Sequence, residues 1–121
     1  MSQVLLMLAG LLGLAVAAVH SYMGQVRVIA PAKFAGKVQR GMAQAIWHFS
    51  SLVWAASALV FLYAALNLAG AARWPVVGLA TLPLAYGMIA NAWITRGRHF
   101  GWVMLALVIA LALAGGSGRF D

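Results

Sequence analysis

The sequence contains no cysteine, and its only acidic residue is the last one, Asp121. The lack of cysteine excludes disulfides, thiolate metal sites, iron–sulfur clusters and cysteine nucleophiles. The lack of any other Asp or Glu excludes catalysis by paired carboxylates and carboxylate proton relays within the apolar segments. Ligand or proton chemistry in this chain therefore depends on its three histidines, together with amides and hydroxyls.

Charge of either sign is also scarce, since only 7% of the residues are charged and 65% are hydrophobic. A soluble domain carries about 25% charged residues. A soluble fold of 121 residues could not bury so much apolar surface, so the composition indicates a protein whose solvent is lipid.

Four apolar segments approach the length of about 20 residues that a helix needs to cross a bilayer. They run over about 4–22, 42–68, 75–95 and 99–115, and the last is the shortest. We therefore predict an all-α fold, an integral membrane four-helix bundle that forms a single transmembrane domain over residues 1–121. The first segment also resembles a secretory signal at Ala15 to Ala17, but no Lys or Arg precedes it, which favours a retained helix.

The basic residues predict the orientation of this bundle. The first loop, residues 23–41, and the third loop carry six of them: Arg27, Lys33, Lys37, Arg40, Arg96 and Arg98. Only Arg73 and Arg119 lie on the other side. We expect the protein in a bacterial inner membrane. The positive-inside rule then places both basic loops in the cytoplasm and both termini in the periplasm. No basic stripe with interleaved aromatic residues lies outside the spans, so we do not expect nucleic acid as a partner.

Two local patterns predict how the first helix and first loop are used. Ala9, Gly13 and Ala17 recur every four residues, and such a small face lets another helix approach closely. In the loop, basic residues spaced four and three apart share one helical face, which favours a short interfacial helix over about 32–40. An ordinary cytoplasmic loop with topogenic charges is the alternative interpretation.

The three histidines fall at similar depth in the cytoplasmic half of the bundle. His20 ends the first span, His48 lies about six residues inside the second, roughly 9 Å below its start, and His99 opens the fourth. Asn91 reaches the same layer from the third span. Trp54 lies deeper and either contacts lipid and helices or lines a cofactor pocket.

Three interpretations of this layer stay open. His20 and His48 could ligate a haem, or two or three histidines, with His99 included, could bind a transition metal. The histidines could instead move protons or bind a small polar ligand. In the third interpretation, His20, His48 and Asn91 form hydrogen bonds that hold helices together. Because His48 is the deepest, burying it without a partner would be the most unfavourable.

A longer pattern links these residues. His20 to Gly24, a basic loop, Trp47-His48, and Arg96 to His99 before a final span resemble a group of small four-span bacterial membrane proteins without a settled function. That group typically carries a His-Ser-x-x-Gly-Glu run, whereas this chain has Gln25 in place of the acid. The resemblance implies the fold and topology, with His20 and His48 as candidate functional positions.

These observations together favour a non-catalytic accessory or structural subunit of a membrane assembly, and no catalytic residue is assigned. Its expected partners are the lipid bilayer and other membrane subunits or further copies of the chain. A haem- or metal-binding redox protein that uses His20 and His48 is one alternative. A small homo-oligomeric transporter or channel is another.

Overall fold

The computed structural model describes residues 1–118, so Arg119 and Asp121 lie outside the described residues. The chain forms four helices: α1 (Ser2–Met23), α2 (Lys37–Asn67), α3 (Arg73–Ile94) and α4 (Gly101–Gly116). A six-residue π-helical segment, Gly24–Ile29, continues α1, and a 3₁₀ turn, Gly70–Ala72, leads into α3. No strand occurs among these 118 residues. The predicted all-α fold is confirmed.

The helices have the length and composition of membrane spans. Three helical stretches are long and apolar enough to cross a bilayer, namely Ser2–Ile29, Lys37–Asn67 and Gly70–Ile94. Helix α4 is equally apolar in character but has only 16 residues. The chain is therefore a small membrane protein with a helical bundle.

The bundle is closed, because each helix packs against its neighbours in the chain and α1 also packs against α4. Fully buried side chains fill its middle: Leu6, Phe61, Val77, Leu84, Leu105 and Val108. The predicted small face of α1 is confirmed, since Ala9, Gly13 and Ala17 are all buried. A Cβ atom at Gly13 would lie 2.9 Å from the Cβ of Ala58, and one at Gly115 would lie 2.8 Å from Leu6 Cγ. Small residues thus bring α1, α2 and α4 into close contact.

The first connection is shorter than the predicted loop, because helix continues to Ile29 and resumes at Lys37. The separate interfacial helix predicted over about 32–40 is wrong. Residues 32–36 are not helical, and Lys37 and Arg40 belong to the first turn of α2. The physical reason is the break at Pro31, whose missing N–H and fixed φ favour a turn, followed by fully extended backbone at Gly36.

A tight turn joins α3 to α4. Arg96 and Gly97 both have positive φ, 51° and 73°, and the Gly97 N–H donates to the carbonyl oxygen of Ala92 at 2.8 Å. This is the usual left-handed ending of an α-helix. Trp102 Nε1 donates to the carbonyl oxygen of Gly97 at 3.1 Å, so the first turn of α4 fixes the connection. The turn places His99 at the same end of the bundle as the first connection, which we call the basic end after its six Lys and Arg residues.

Candidate functional site

His20 lies between two indole rings of α2. Its imidazole stacks on Trp47, with centroids 4.6 Å apart and an interplanar angle of 14°, and contacts Trp54 at 4.3 Å and 41°. Its Nε2 lies 3.2 Å from Ser50 Oγ, and the Ser50 hydroxyl itself donates to the carbonyl oxygen of Trp47 at 2.6 Å. Because that hydroxyl hydrogen is already used, Ser50 Oγ accepts from His20. The Nε2 atom of His20 therefore carries the ring hydrogen.

Trp47 binds the same residue a second time, because its Nε1 donates to the carbonyl oxygen of His20 at 3.0 Å. Gly24 makes room for this indole, since a Cβ atom at Gly24 would overlap Trp47 Nε1. Trp47 is half-buried, whereas Trp74 and Trp93 are 51% and 82% exposed. Trp47 thus joins α1 to α2, a role that its position near the predicted interface did not indicate.

His48 forms a second set of contacts between α1 and α2. Its Nε2 lies 3.3 Å from Gln25 Oε1, an oxygen that also accepts from Gln44 Nε2 at 3.4 Å. A carbonyl oxygen only accepts, so His48 Nε2 carries the hydrogen. Its Nδ1 then accepts from the Ser21 hydroxyl, 2.8 Å away. Both ring nitrogens of His48 are engaged within the chain.

Burial differs from what depth along the helix predicted. His48, the deepest histidine by its position in the sequence, is exposed, whereas His20 is half-buried. Depth along a helix axis does not determine the direction of the side chain around that axis. His48 points to the outer edge of the contact between α1 and α2, and His20 points toward the interior.

A cavity of about 730 Å³ opens at the basic end, and all four helices contribute to its walls. It brings together four residues that the sequence singled out: His20, Trp54, Asn91 and His99. Arg27 and Thr95 also line it, and His48 is not among the described residues that do. Trp54 forms the inner wall because Gly87 on α3 leaves space for its indole, which a Cβ atom there would overlap.

Two further polar groups in the cavity wall differ in their hydrogen bonds. The Nδ1 of His99 accepts from the Gly101 N–H at 3.1 Å, so the neutral imidazole carries its hydrogen on Nε2 and can donate it. The Oδ1 of Asn91 is buried and has no hydrogen-bond partner among residues 1–118. Asn91 therefore does not form the predicted hydrogen bond to His20 or His48.

The arrangement bears on the metal and haem interpretations. Within the described part of the chain, no group of three or more His, Cys, Asp or Glu side chains could hold a metal ion. His20 and His48 do not face a common space, and both nitrogens of His48 already have partners. As a pair of axial haem ligands, these two residues do not fit.

The sequence analysis missed several residues that make these contacts, namely Ser21, Gly24, Gln25, Trp47 and Ser50. A signal for Gly24 was present, since it follows His20 by four residues and extends the face formed by Ala9, Gly13 and Ala17. Assigning residue 24 to a loop hid that periodicity. No comparable signal pairs Ser21 with His48, because the pairing depends on the register between two antiparallel helices.

Comparison with known proteins gives no further assignment. No family model matches the chain, and no curated protein or solved structure does so either.

Proposed function

We propose that this small membrane protein is a non-catalytic accessory subunit of a bacterial inner-membrane assembly, in which His20 and His48 hold α1 against α2. Each histidine uses Nε2 as a donor across this contact, and His20 is covered on its ring faces by Trp47 and Trp54. Hydrogen bonds between membrane helices contribute about 0.6 kcal/mol each on average. These contacts favour a structural role for both side chains.

The observation that carries the subunit role is a tyrosine on the outer face of α3. Tyr86 is 77% exposed and lies eight residues before the end of α3 at Ile94, which places it roughly 12 Å inside the bilayer. Its hydroxyl has no hydrogen-bond partner among residues 1–118. A hydroxyl at that depth is unfavourable unless a neighbouring helix supplies a partner.

The surface around Tyr86 has the form of a helix-packing face. Large exposed side chains recur along α3 at steps of three and four residues: Leu79, Leu82, Tyr86, Ile89 and Trp93. This spacing aligns them on one side of the helix. We propose that a transmembrane helix of another subunit packs here and accepts a hydrogen bond from Tyr86.

The proposed topology places the basic end in the cytoplasm and both termini in the periplasm. Six Lys and Arg residues belong to the basic end, and Arg73, at the opposite end, is buried and donates to the carbonyl oxygen of Leu68 at 2.8 Å. A cation bound within the protein has a structural role in addition to its topogenic one. The charge asymmetry supports the cytoplasmic assignment.

A photo-crosslinking side chain at position 86 tests the subunit role in native membranes. The matched control is position 107 on α4, where Leu107 is 47% exposed and the helix contains no tyrosine. We expect a discrete adduct with one membrane protein at position 86 and none at position 107. Equal labelling at both positions, or adducts with lipid alone, would contradict the proposal.

The haem-binding alternative retains one supporting observation, which is the cavity lined by His20, His99 and Arg27. In this arrangement His99, and not His48, would share a space with His20. An absorption spectrum of purified protein separates the two functions, because bound haem gives a Soret band that His20→Ala or His99→Ala would abolish. The accessory role predicts colourless protein. No specific contact favours transport, since Phe61, Leu84 and Val108 fill the middle of the bundle.

A further inference from the structure

The cavity is a long groove along one face of α1. Its wall on that helix includes Leu12, Val16, Val19, Met23 and Arg27, which follow one another at steps of three and four residues, and also His20. At about 1.5 Å per residue, Leu12 and Arg27 are separated by roughly 22 Å along the helix axis. This length matches one leaflet, since half of a bilayer of about 40–45 Å, headgroups included, is about 20–22 Å.

Close packing of α1 against its neighbours limits the groove at its deep end. Gly13 contacts Ala58 and Val108, and Gly115 lies against Leu6, so no space remains there. Towards the basic end, Gly101, Met104 and Leu105 of α4 line the groove. The groove is therefore closed at its deep end and open at the basic end.

Apart from the indole N–H groups of Trp47 and Trp54, the polar side chains that line this groove within residues 1–118 lie in its outer part. His20, Arg27, Asn91, Thr95 and His99 lie at the basic end, whereas the wall beyond His20 towards Leu12 is apolar. A ligand that fits has one polar end and one long apolar end. Membrane lipids have this shape.

The positive charge at the outer end of the groove favours anionic lipids. Arg27 lines the groove, His99 can donate from Nε2, and Arg98 directly precedes His99. Residues 1–118 contain no Asp or Glu to neutralise them. An unopposed guanidinium with a neighbouring N–H donor is the chemistry that binds a phosphate group.

We propose that this groove binds one anionic phospholipid from the leaflet at the basic end. The phosphate group is held by Arg27 and His99, and one acyl chain lies along α1 as far as Leu12. This site is independent of the accessory role and of the direction in which the bundle is inserted.

Quenching of tryptophan fluorescence by lipids with brominated acyl chains tests the site. Replacing the exposed Trp74 and Trp93 with Phe leaves Trp47 and Trp54, which both line the groove, and Trp102, which holds the turn before α4. The protein is reconstituted in phosphatidylcholine vesicles that contain increasing mole fractions of either brominated phosphatidylglycerol or brominated phosphatidylcholine. We expect brominated phosphatidylglycerol to quench at about fivefold lower mole fraction, which corresponds to about 1 kcal/mol.

Matched variants identify the phosphate contact. Arg27→Gln should abolish the preference for phosphatidylglycerol, whereas Arg27→Lys should retain most of it. Lys33→Gln removes the same charge from the same connection, but Lys33 is exposed and does not line the groove, so the preference should remain. Val16→Phe fills the acyl-chain part and should reduce quenching by both lipids. Circular dichroism verifies that each variant keeps its helical content.

Three results would overturn the proposal. One is equal quenching by the two lipids in the protein with Arg27 intact. Another is an equal loss of preference in Arg27→Gln and Lys33→Gln, which would show diffuse surface attraction instead of a site. The third is reversal of the quenching by inorganic phosphate alone, which would show that the groove binds a free anion.

Discussion

Trp47 contacts His20 in two ways, through a hydrogen bond from its Nε1 to the backbone carbonyl oxygen of His20 and through stacking of the two rings. The histidine in turn donates to Ser50, one turn further along α2. Three contacts thus join one turn of α1 to one turn of α2. They form next to Gly24, whose missing side chain lets the indole lie against the backbone of α1.

Replacing His20 should separate the stability that comes from stacking on the indole rings from the stability that comes from its side-chain hydrogen bond to Ser50. His20→Leu removes both, and we expect a loss of about 2 kcal/mol, from a hydrogen bond of about 1 kcal/mol and ring contacts of about 0.5–1.5 kcal/mol. His20→Phe keeps the ring contacts and should lose only about half as much. Unfolding in detergent, followed by circular dichroism, measures both values. Equal losses would show that stacking does not contribute.

The contact between Ser21 and His48 can be measured by a double-mutant cycle. Ser21→Ala and His48→Ala each remove one partner, and the double variant should be more stable than the sum of the two losses predicts. We expect a coupling energy of about 0.6 kcal/mol, the average for hydrogen bonds between membrane helices. A cycle of Ser21→Ala with Ser57→Ala, whose hydroxyl donates within α2 to the carbonyl oxygen of Val53, is the control. Additive losses for Ser21 and His48 would contradict the assigned hydrogen bond.

Two glycines of α3 give a matched test of the space around Trp54. Gly87→Ala would overlap the Trp54 indole and should lower the stability by about 1–3 kcal/mol. It should also shift the fluorescence of Trp54, because the indole must move. Gly78→Ala meets nothing within 4 Å and should be neutral or stabilising by up to about 1 kcal/mol. Similar effects at both positions would mean that Trp54 is not held by α3.

The absence of native cysteine makes the proposed topology directly measurable. Lys33→Cys lies in the first connection and Ala71→Cys in the second, and both positions are exposed. In intact cells, a maleimide that passes the outer membrane but not the inner membrane should label the cysteine at position 71 and not the cysteine at position 33. Both should react after lysis. The reverse pattern would place the basic end in the periplasm.

The fold was predictable because the apolar segments are long and few charges interrupt them. The close packing of α1 was also predictable, since the four-residue repeat of Ala9, Gly13 and Ala17 reports directly which face tolerates another backbone. These properties depend on residues within one helix. They need no information about how two helices are rotated or shifted relative to each other.

The candidate site was less predictable because it depends on such relations. The position of His48 gives its depth but not its direction, and the structure turns it outward while His20 faces the cavity. The sequence predicted Arg27 as a topogenic charge and as a possible contact for haem propionates, but it did not show that helix continues to Ile29 and carries this side chain to the cavity. The groove itself is lined by residues of α1 and α4 together, so it is a property of the packed helices and of neither helix alone.

The brevity of α4 has a consequence for the surrounding bilayer. Its 16 residues span about 24 Å, whereas the hydrocarbon core is about 30 Å thick. The longer helices beside it match or exceed that thickness, so the hydrophobic mismatch is confined to one side of the molecule. The bilayer next to α4 must thin locally, at a cost of a fraction of a kcal/mol per Å of mismatch. The chain should therefore partition into thinner membrane regions and orient α4 toward them.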